Sequence, residues 1–107
     1  MQQLSPRELA DWLNASDRLR PQLLDVREPW EAEICRIEGA ELIPMRTIPQ
    51  RIGELASDSP IVVICHHGVR SLQVALYLAR AGFAEVHNLQ GGMAAWADQV
   101  APAMARY

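Results

Sequence analysis

Seven consecutive residues, Cys65-His66-His67-Gly68-Val69-Arg70-Ser71, gather most of the chemically versatile side chains of this chain in one place. Cysteine is the strong nucleophile among them, and its reactive form is the thiolate. The run follows the apolar stretch Ile61-Val62-Val63-Ile64 and precedes a segment of helical periodicity, so the backbone must turn sharply. Gly68 supplies the freedom that such a turn needs. If the loop wraps around the sulfur, the amide N–H groups of residues 66–70 point inward and the helix behind them adds the positive end of its dipole. Both effects favour an anion. The expectation is a substantially ionised thiol at position 65, open to incoming molecules, in preference to a structural cysteine that merely ends a strand.

Several elements must hold that loop in place. Ile61–Ile64 is β-branched throughout and lacks polar alternation, which suits a strand covered on both faces in a parallel sheet. From Ser71 to Ala81, Leu72, Val74, Ala75, Leu78 and Ala79 recur at helical spacing, and Gly82 is placed to end the helix. Near the start of the chain, Ser5-Pro6-Arg7-Glu8 reads as a capping box with proline in the first turn, followed by the apolar stripe Leu9, Trp12 and Leu13. Gln22–Val26 predicts a strand with Asp25 near its carboxyl end, and Pro29–Ile34 a short helical stretch. Glu41–Ile43 predicts a brief strand stopped by Pro44, after which Ile48, Ile52 and Leu55 return to helical spacing. Ala84–Leu89 predicts a last strand, Gly91-Gly92 a turn, and Met93–Trp96 a closing helix.

Strands alternating with helices imply an α/β domain with a mostly parallel sheet, helices on both faces and right-handed crossovers. Ligands of such sheets bind beyond the carboxyl ends of the strands, where Cys65 and Asp25 both lie. At 107 residues, half of them apolar, the chain is expected to form one domain over 1–107.

Composition excludes several classes of function. A net charge of −3 with scattered basic residues argues against a nucleic-acid partner. No apolar run approaches the roughly 18 residues of a membrane span, and the residues before Ser5 do not form a secretory signal, so the expectation is no membrane and a cytoplasmic address. Two cysteines, Cys35 and Cys65, make no disulfide framework and fit a reducing compartment. Adjacent Cys65, His66 and His67 converge poorly on one ion, so no metal is expected. Trp12, Trp30 and Trp96 are assigned to core or edge packing, and His87 to the last strand.

The pattern Cys65-x-x-Gly68-x-Arg70-Ser71 resembles the active-site loop of the rhodanese family of sulfurtransferases, and three further segments resemble that family in the same order. They are Leu24-Asp25-Val26-Arg27-Glu28, Ile37-Glu38-Gly39-Ala40 with Pro44, and Asn88-Leu89-Gln90-Gly91-Gly92 with Trp96. The resemblance implies a three-layer rhodanese-like fold with five strands. It also implies a catalytic Cys65 that takes sulfane sulfur from a small donor, thiosulfate or a persulfide, and holds it as a persulfide. Cyanide, a small thiol or a protein thiol then accepts the sulfur, with no cofactor. By position, His66, His67 and Val69 match the loop residues that shape the donor pocket. Gly68 and Ser71 complete the substrate-binding loop, and Arg70 matches the position that supplies positive charge. Asp25 and Arg27 match a structural pair expected to brace the site.

Two departures from the family pattern stand out. Cys35-Arg36 replaces the usual Gly-His before Ile37, and Cys35 is read as a bystander. The loop carries histidines, which with an ordinary pKa near 6.5 are mostly uncharged at neutral pH, so attraction for a dianion would rest on Arg70 and the amides. A cysteine phosphatase or arsenate reductase is the rival enzyme, but it places arginine six residues after cysteine, whereas Arg70 comes five after. The rival of another class is a sulfur carrier or regulatory module that does not turn over. The tail after Val100 has no assigned role.

Overall fold

The computed structural model describes residues 1–107. At its centre lies β4 (Ile61–Ile64), whose four side chains are all wholly buried. On either side run β5 (Val86–Leu89) and β2 (Gln22–Asp25), with β1 (Gln2–Leu4) and β3 (Glu41–Leu42) at the edges. The order is β1-β5-β4-β2-β3, and every neighbouring pair is parallel. Between them stand α1 (Pro6–Asn14), α2 (Pro29–Ile34), α3 (Ile48–Arg51), α4 (Val69–Arg80) and α5 (Gly92–Gln99).

Alternation along β4 divides the core. Ile61, Val63 and Cys65 face the side of α3 and α4, packing with Ile48, Val74, Ala75 and Leu78. Val62 and Ile64 face the other side, with Leu9 and Trp12 of α1 and Met93 and Trp96 of α5. Full burial of each Val or Ile side chain is worth about 1.5–3 kcal/mol relative to exposure, so β4 is a firm platform for the loop at its end.

The Ser5 capping box is present, with Ser5 Oγ accepting from Glu8 N–H at 3.1 Å and Glu8 Oε1 from Ser5 N–H at 2.9 Å. The strand before it, β1, has no counterpart among the four predicted strands. It is three residues long with only Leu4 buried, too short to show alternation, and it is recruited by pairing with β5. The helix predicted from Ser71 starts at Val69, because Gly68 adopts a left-handed φ of +93° and caps it there. Arg70 and Ser71 therefore belong to the first helical turn. Ile48, Ile52 and Leu55 lie on or just after a broken path, α3 flanked by 3₁₀ turns at Met45–Thr47 and Ile52–Glu54. The closing helix runs on to Gln99.

One contact fixes the loop against α5. Met93 N–H donates to the Cys65 carbonyl at 2.8 Å and Ala94 N–H to the His66 carbonyl at 3.0 Å. Gly92 lies between, at φ +60°, where a Cβ would collide with the Cys65 carbonyl oxygen and sit 2.6 Å from the His66 carbonyl. Gly92→Ala is therefore expected to destabilise the fold by about 2–5 kcal/mol, through strain at positive φ and overpacking. Urea unfolding measures this, and a change within experimental error would show that the contact can yield without cost.

Candidate active site

Cys65 sits where β4 runs into the loop, with its sulfur on the α4 side of the sheet. Gly68 N–H donates to Sγ at 3.0 Å, and Sγ donates to Ser71 Oγ at 3.2 Å. The Ser71 hydroxyl donates to Asn88 Oδ1 on β5. Asn88 Nδ2 in turn donates to the Gly68 carbonyl at 3.3 Å and to Gln3 Oε1 at 2.9 Å. Of the five loop amides expected to converge on the sulfur, only that of Gly68 reaches it. The thiol is also not open to incoming molecules, since Cys65 is 1% exposed. It packs in the same apolar cluster as Val63 and Val74, and the α5 amides hold its carbonyl from the other side. A reagent reaches the sulfur only when the covering residues move.

Asp25 and Arg27 form a buried pair at the end of β2. Arg27 is fully buried, with Nε 2.9 Å from Asp25 Oδ1 and Nη2 2.7 Å from Oδ2. Its remaining N–H groups donate to the Cys35 carbonyl (2.7 Å) and to Tyr107 Oη (3.0 Å). Tyr107 in turn donates to Glu31 Oε1 at 2.9 Å, and Glu31 receives both arms of Arg70 at 2.8 Å. The Arg70 hydrogen bonds hold the Glu31 carboxyl down at about 2, while burial pushes the Tyr107 hydroxyl up to about 12. Arg70, expected to present positive charge at the loop, is thus largely neutralised by Glu31, a buried residue that also forms a reciprocal cap with Glu28 at the start of α2.

Beside the loop lies a cleft of about 210 Å³ between the His66–His67 pair, Met93, Ala94 and Ala97 of α5, and residues 105–107; Cys35 also lines it. His66 packs edge-on against His67 with centroids 4.0 Å apart, and 4.1 Å from the Tyr107 ring. Burial pushes His66 below its ordinary value, so it is neutral at pH 7, and its Nδ1 is buried without a partner. Val69, matched to the donor pocket, is 65% exposed and does not line this cleft. Trp30, assigned to packing, is 59% exposed and meets Tyr107 edge-on. No three His, Cys, Asp or Glu side chains converge as metal ligands, and no helix is long and apolar enough to cross a membrane.

Three residues of this site had no assigned role in the sequence. Glu31 could have been found from its spacing after Glu28, which repeats the capping pattern of Ser5 and Glu8. Asn88 is, with His87, one of two polar residues in β5, a strand buried along its whole length, so its amide needs buried partners. Tyr107 carries no local signal at all.

A family model described as the rhodanese-like domain matches residues 5–99. The chain is 42% identical over 106 residues to the "Probable adenylyltransferase/sulfurtransferase MoeZ" of Mycobacterium tuberculosis; that stretch is 97% of this chain but 26% of that protein. It is 40% identical over 83 residues to a protein named "Sulfurtransferase" from Allochromatium vinosum, covering 78% of each. Among solved structures, a rhodanese-like domain protein from Staphylococcus aureus superposes with a TM-score of 0.83 at 35% identity, covering 94% of this chain and 95% of that one.

The Glu31 network sets an acid limit. A carboxyl held near 2 in the fold, against 4.5 ordinarily, contributes stability that is complete above about pH 4.5 and lost as pH falls toward 2. Glu31→Gln should lower stability at pH 7 and flatten its decline between those values, as read by urea unfolding at a series of pH. Parallel curves for the two proteins would remove Glu31 from the acid transition.

Proposed function

The chain belongs to the rhodanese-like domain family, and on that premise we propose that it is a sulfurtransferase whose Cys65 carries sulfane sulfur as a persulfide. The observation that carries this reading is the placement of Cys65 between the buried strand β4 and the N-terminus of α4, with the Gly68 amide on its sulfur. Relatives named as sulfurtransferases at 40% and 42% identity support it.

In the first half-reaction the Cys65 thiolate attacks the outer sulfur of the donor. The donor's S–S bond breaks, its electron pair leaves on sulfite or a thiolate, and Cys65–S–S⁻ remains. In the second, an acceptor such as cyanide or a thiolate takes the outer sulfur, and the Cys65 thiolate returns. This is covalent catalysis by double displacement, for which ping-pong kinetics are expected. Residues 1–107 act as one unit in this reading, in a reducing compartment where both free cysteines persist.

Charge around the cleft favours one kind of donor. Arg70 is paired with Glu31, Arg27 with Asp25 and Arg106 with Asp98, and His66 is neutral. The cleft walls are mostly apolar. Thiosulfate packs two charges onto one small ion that would find no unpaired cation among these groups, whereas an organic persulfide brings a single charge at its reacting sulfur and a carbon body to set against the apolar walls. We therefore take the organic persulfide as the better donor and thiosulfate as a surrogate.

Intact-mass measurement after treatment with glutathione persulfide should show the gain of one sulfur atom, absent from Cys65→Ala. In steady state, kcat/KM for that donor should exceed that for thiosulfate by about tenfold or more. Sulfur uptake without multiple turnovers would move the reading to a carrier. Cys65-dependent hydrolysis of an aryl phosphate would replace it with a phosphatase.

A further inference from the structure

Four residues close a ring of hydrogen bonds around the sulfur, running Gly68 N–H to Cys65 Sγ, Sγ to Ser71 Oγ, the Ser71 hydroxyl to Asn88 Oδ1, and Asn88 Nδ2 back to the Gly68 carbonyl. Ser71 is wholly buried and Asn88 nearly so, which leaves bulk water little part in the ring. Its direction follows from chemistry alone. A backbone carbonyl can only accept, so the Asn88 atom facing Gly68 O is the amide nitrogen. The other end of that amide, Oδ1, therefore faces Ser71 and can only accept. Ser71 has one hydroxyl hydrogen, and it is committed to Asn88. Toward Cys65 the serine offers a lone pair, so the sulfur must bring the hydrogen.

We propose that Asn88 is a positioning residue that sets the polarity of this ring, holding Cys65 as a thiol at rest and letting the thiolate form only when the Ser71 hydroxyl turns from Asn88 to the sulfur. The inference rests on Cys65 being the sulfur-bearing nucleophile. Without the turn, a sulfur anion would face the lone pair of Ser71 Oγ. With it, the anion gains a second donor beside Gly68 N–H, at the cost of leaving the buried Asn88 Oδ1 unpaired. The thiol proton leaves to water that enters with the donor. Ionisation is thus coupled to the rotation of one hydroxyl, and a resting site with a buried sulfur keeps its nucleophile in the unreactive form. The helix N-terminus and the Gly68 amide, which alone would favour a standing thiolate, are opposed by the serine that Asn88 has turned away.

The charged and titratable groups on the elements around Cys65 are Arg70 on α4, His66 and His67 in the loop, Asp25 and Arg27 at the end of β2, and Glu31 on α2. His87 lies on β5, and Arg106 and Tyr107 on the tail. All are retained in the variants that test the proposal, so their contributions are common to every protein compared.

The test follows the rate of Cys65 alkylation by iodoacetamide against pH, with mass spectrometry to assign the site. The midpoint reports ionisation independently of how often the buried sulfur is uncovered. Asn88→Ala frees the Ser71 hydroxyl for the sulfur, so its midpoint should move to lower pH and its rate at pH 7 should rise about fivefold, the scale of one typical net hydrogen bond. In a Ser71→Ala background the same substitution should produce no shift, because no hydroxyl remains to turn. Asn88→Asp, which keeps an accepting oxygen, should not lower the midpoint. An unmoved midpoint in Asn88→Ala, or an equal shift with and without the Ser71 hydroxyl, would overturn the proposal. Failure of the wild type to take up sulfur from glutathione persulfide would instead overturn the sulfurtransferase reading, leaving the alkylation result to judge the ring by itself.

Discussion

Taking the Arg27 guanidinium out of water obliges the surrounding chain to partner it, because a buried charge left unpaired is among the most costly defects a fold can carry. Asp25 answers from the same strand end, the Cys35 carbonyl from just past α2, and Tyr107 from the last position of the chain. One side chain thereby draws β2, α2 and the tail to the carboxyl edge of the sheet. The tail in turn forms a wall of the cleft beside the His66–His67 pair. The shape of the cleft follows from satisfying a group that does not itself touch the Cys65 sulfur.

The loop is held by a different device. The α5 amides on the Cys65 and His66 carbonyls leave no room for a side chain at Gly92 and hold the loop against the sheet. The charges at the same edge are balanced pair by pair, as Glu31 with Arg70 shows. The result is a largely apolar cleft with paired charges beside the loop, and a sulfur buried on the loop's other side.

Much of this was legible in the residues, and the parts that were not share a cause. The unbroken apolar run of β4, the helical spacing of α4 and the capping box of α1 are local patterns, strong enough to be read without tertiary context. So was the convergence of Cys65 and Asp25 at one edge, since it follows from parallel strand order. Pairs distant in sequence were not legible. Glu31 meets Arg70 across 39 positions, and Tyr107 meets Arg27 across 80. Nothing in either neighbourhood announces the other. The exposure of Cys65 was misjudged because placement at a strand end says where a side chain begins, not what lies over it. β1 escaped because three residues cannot display a period, and its pairing with β5 is decided by the partner strand.

The two outer strands of the sheet are three and two residues long, and Gln2, Gln3 and Glu41 on them are exposed to solvent. Such margins offer few free backbone groups to a visiting chain and discourage edge-to-edge association. Recognition of another protein by strand addition is poorly supported on either flank. The broad ends of the sheet, and not its flanks, are where the loop and the tail meet and leave surface free.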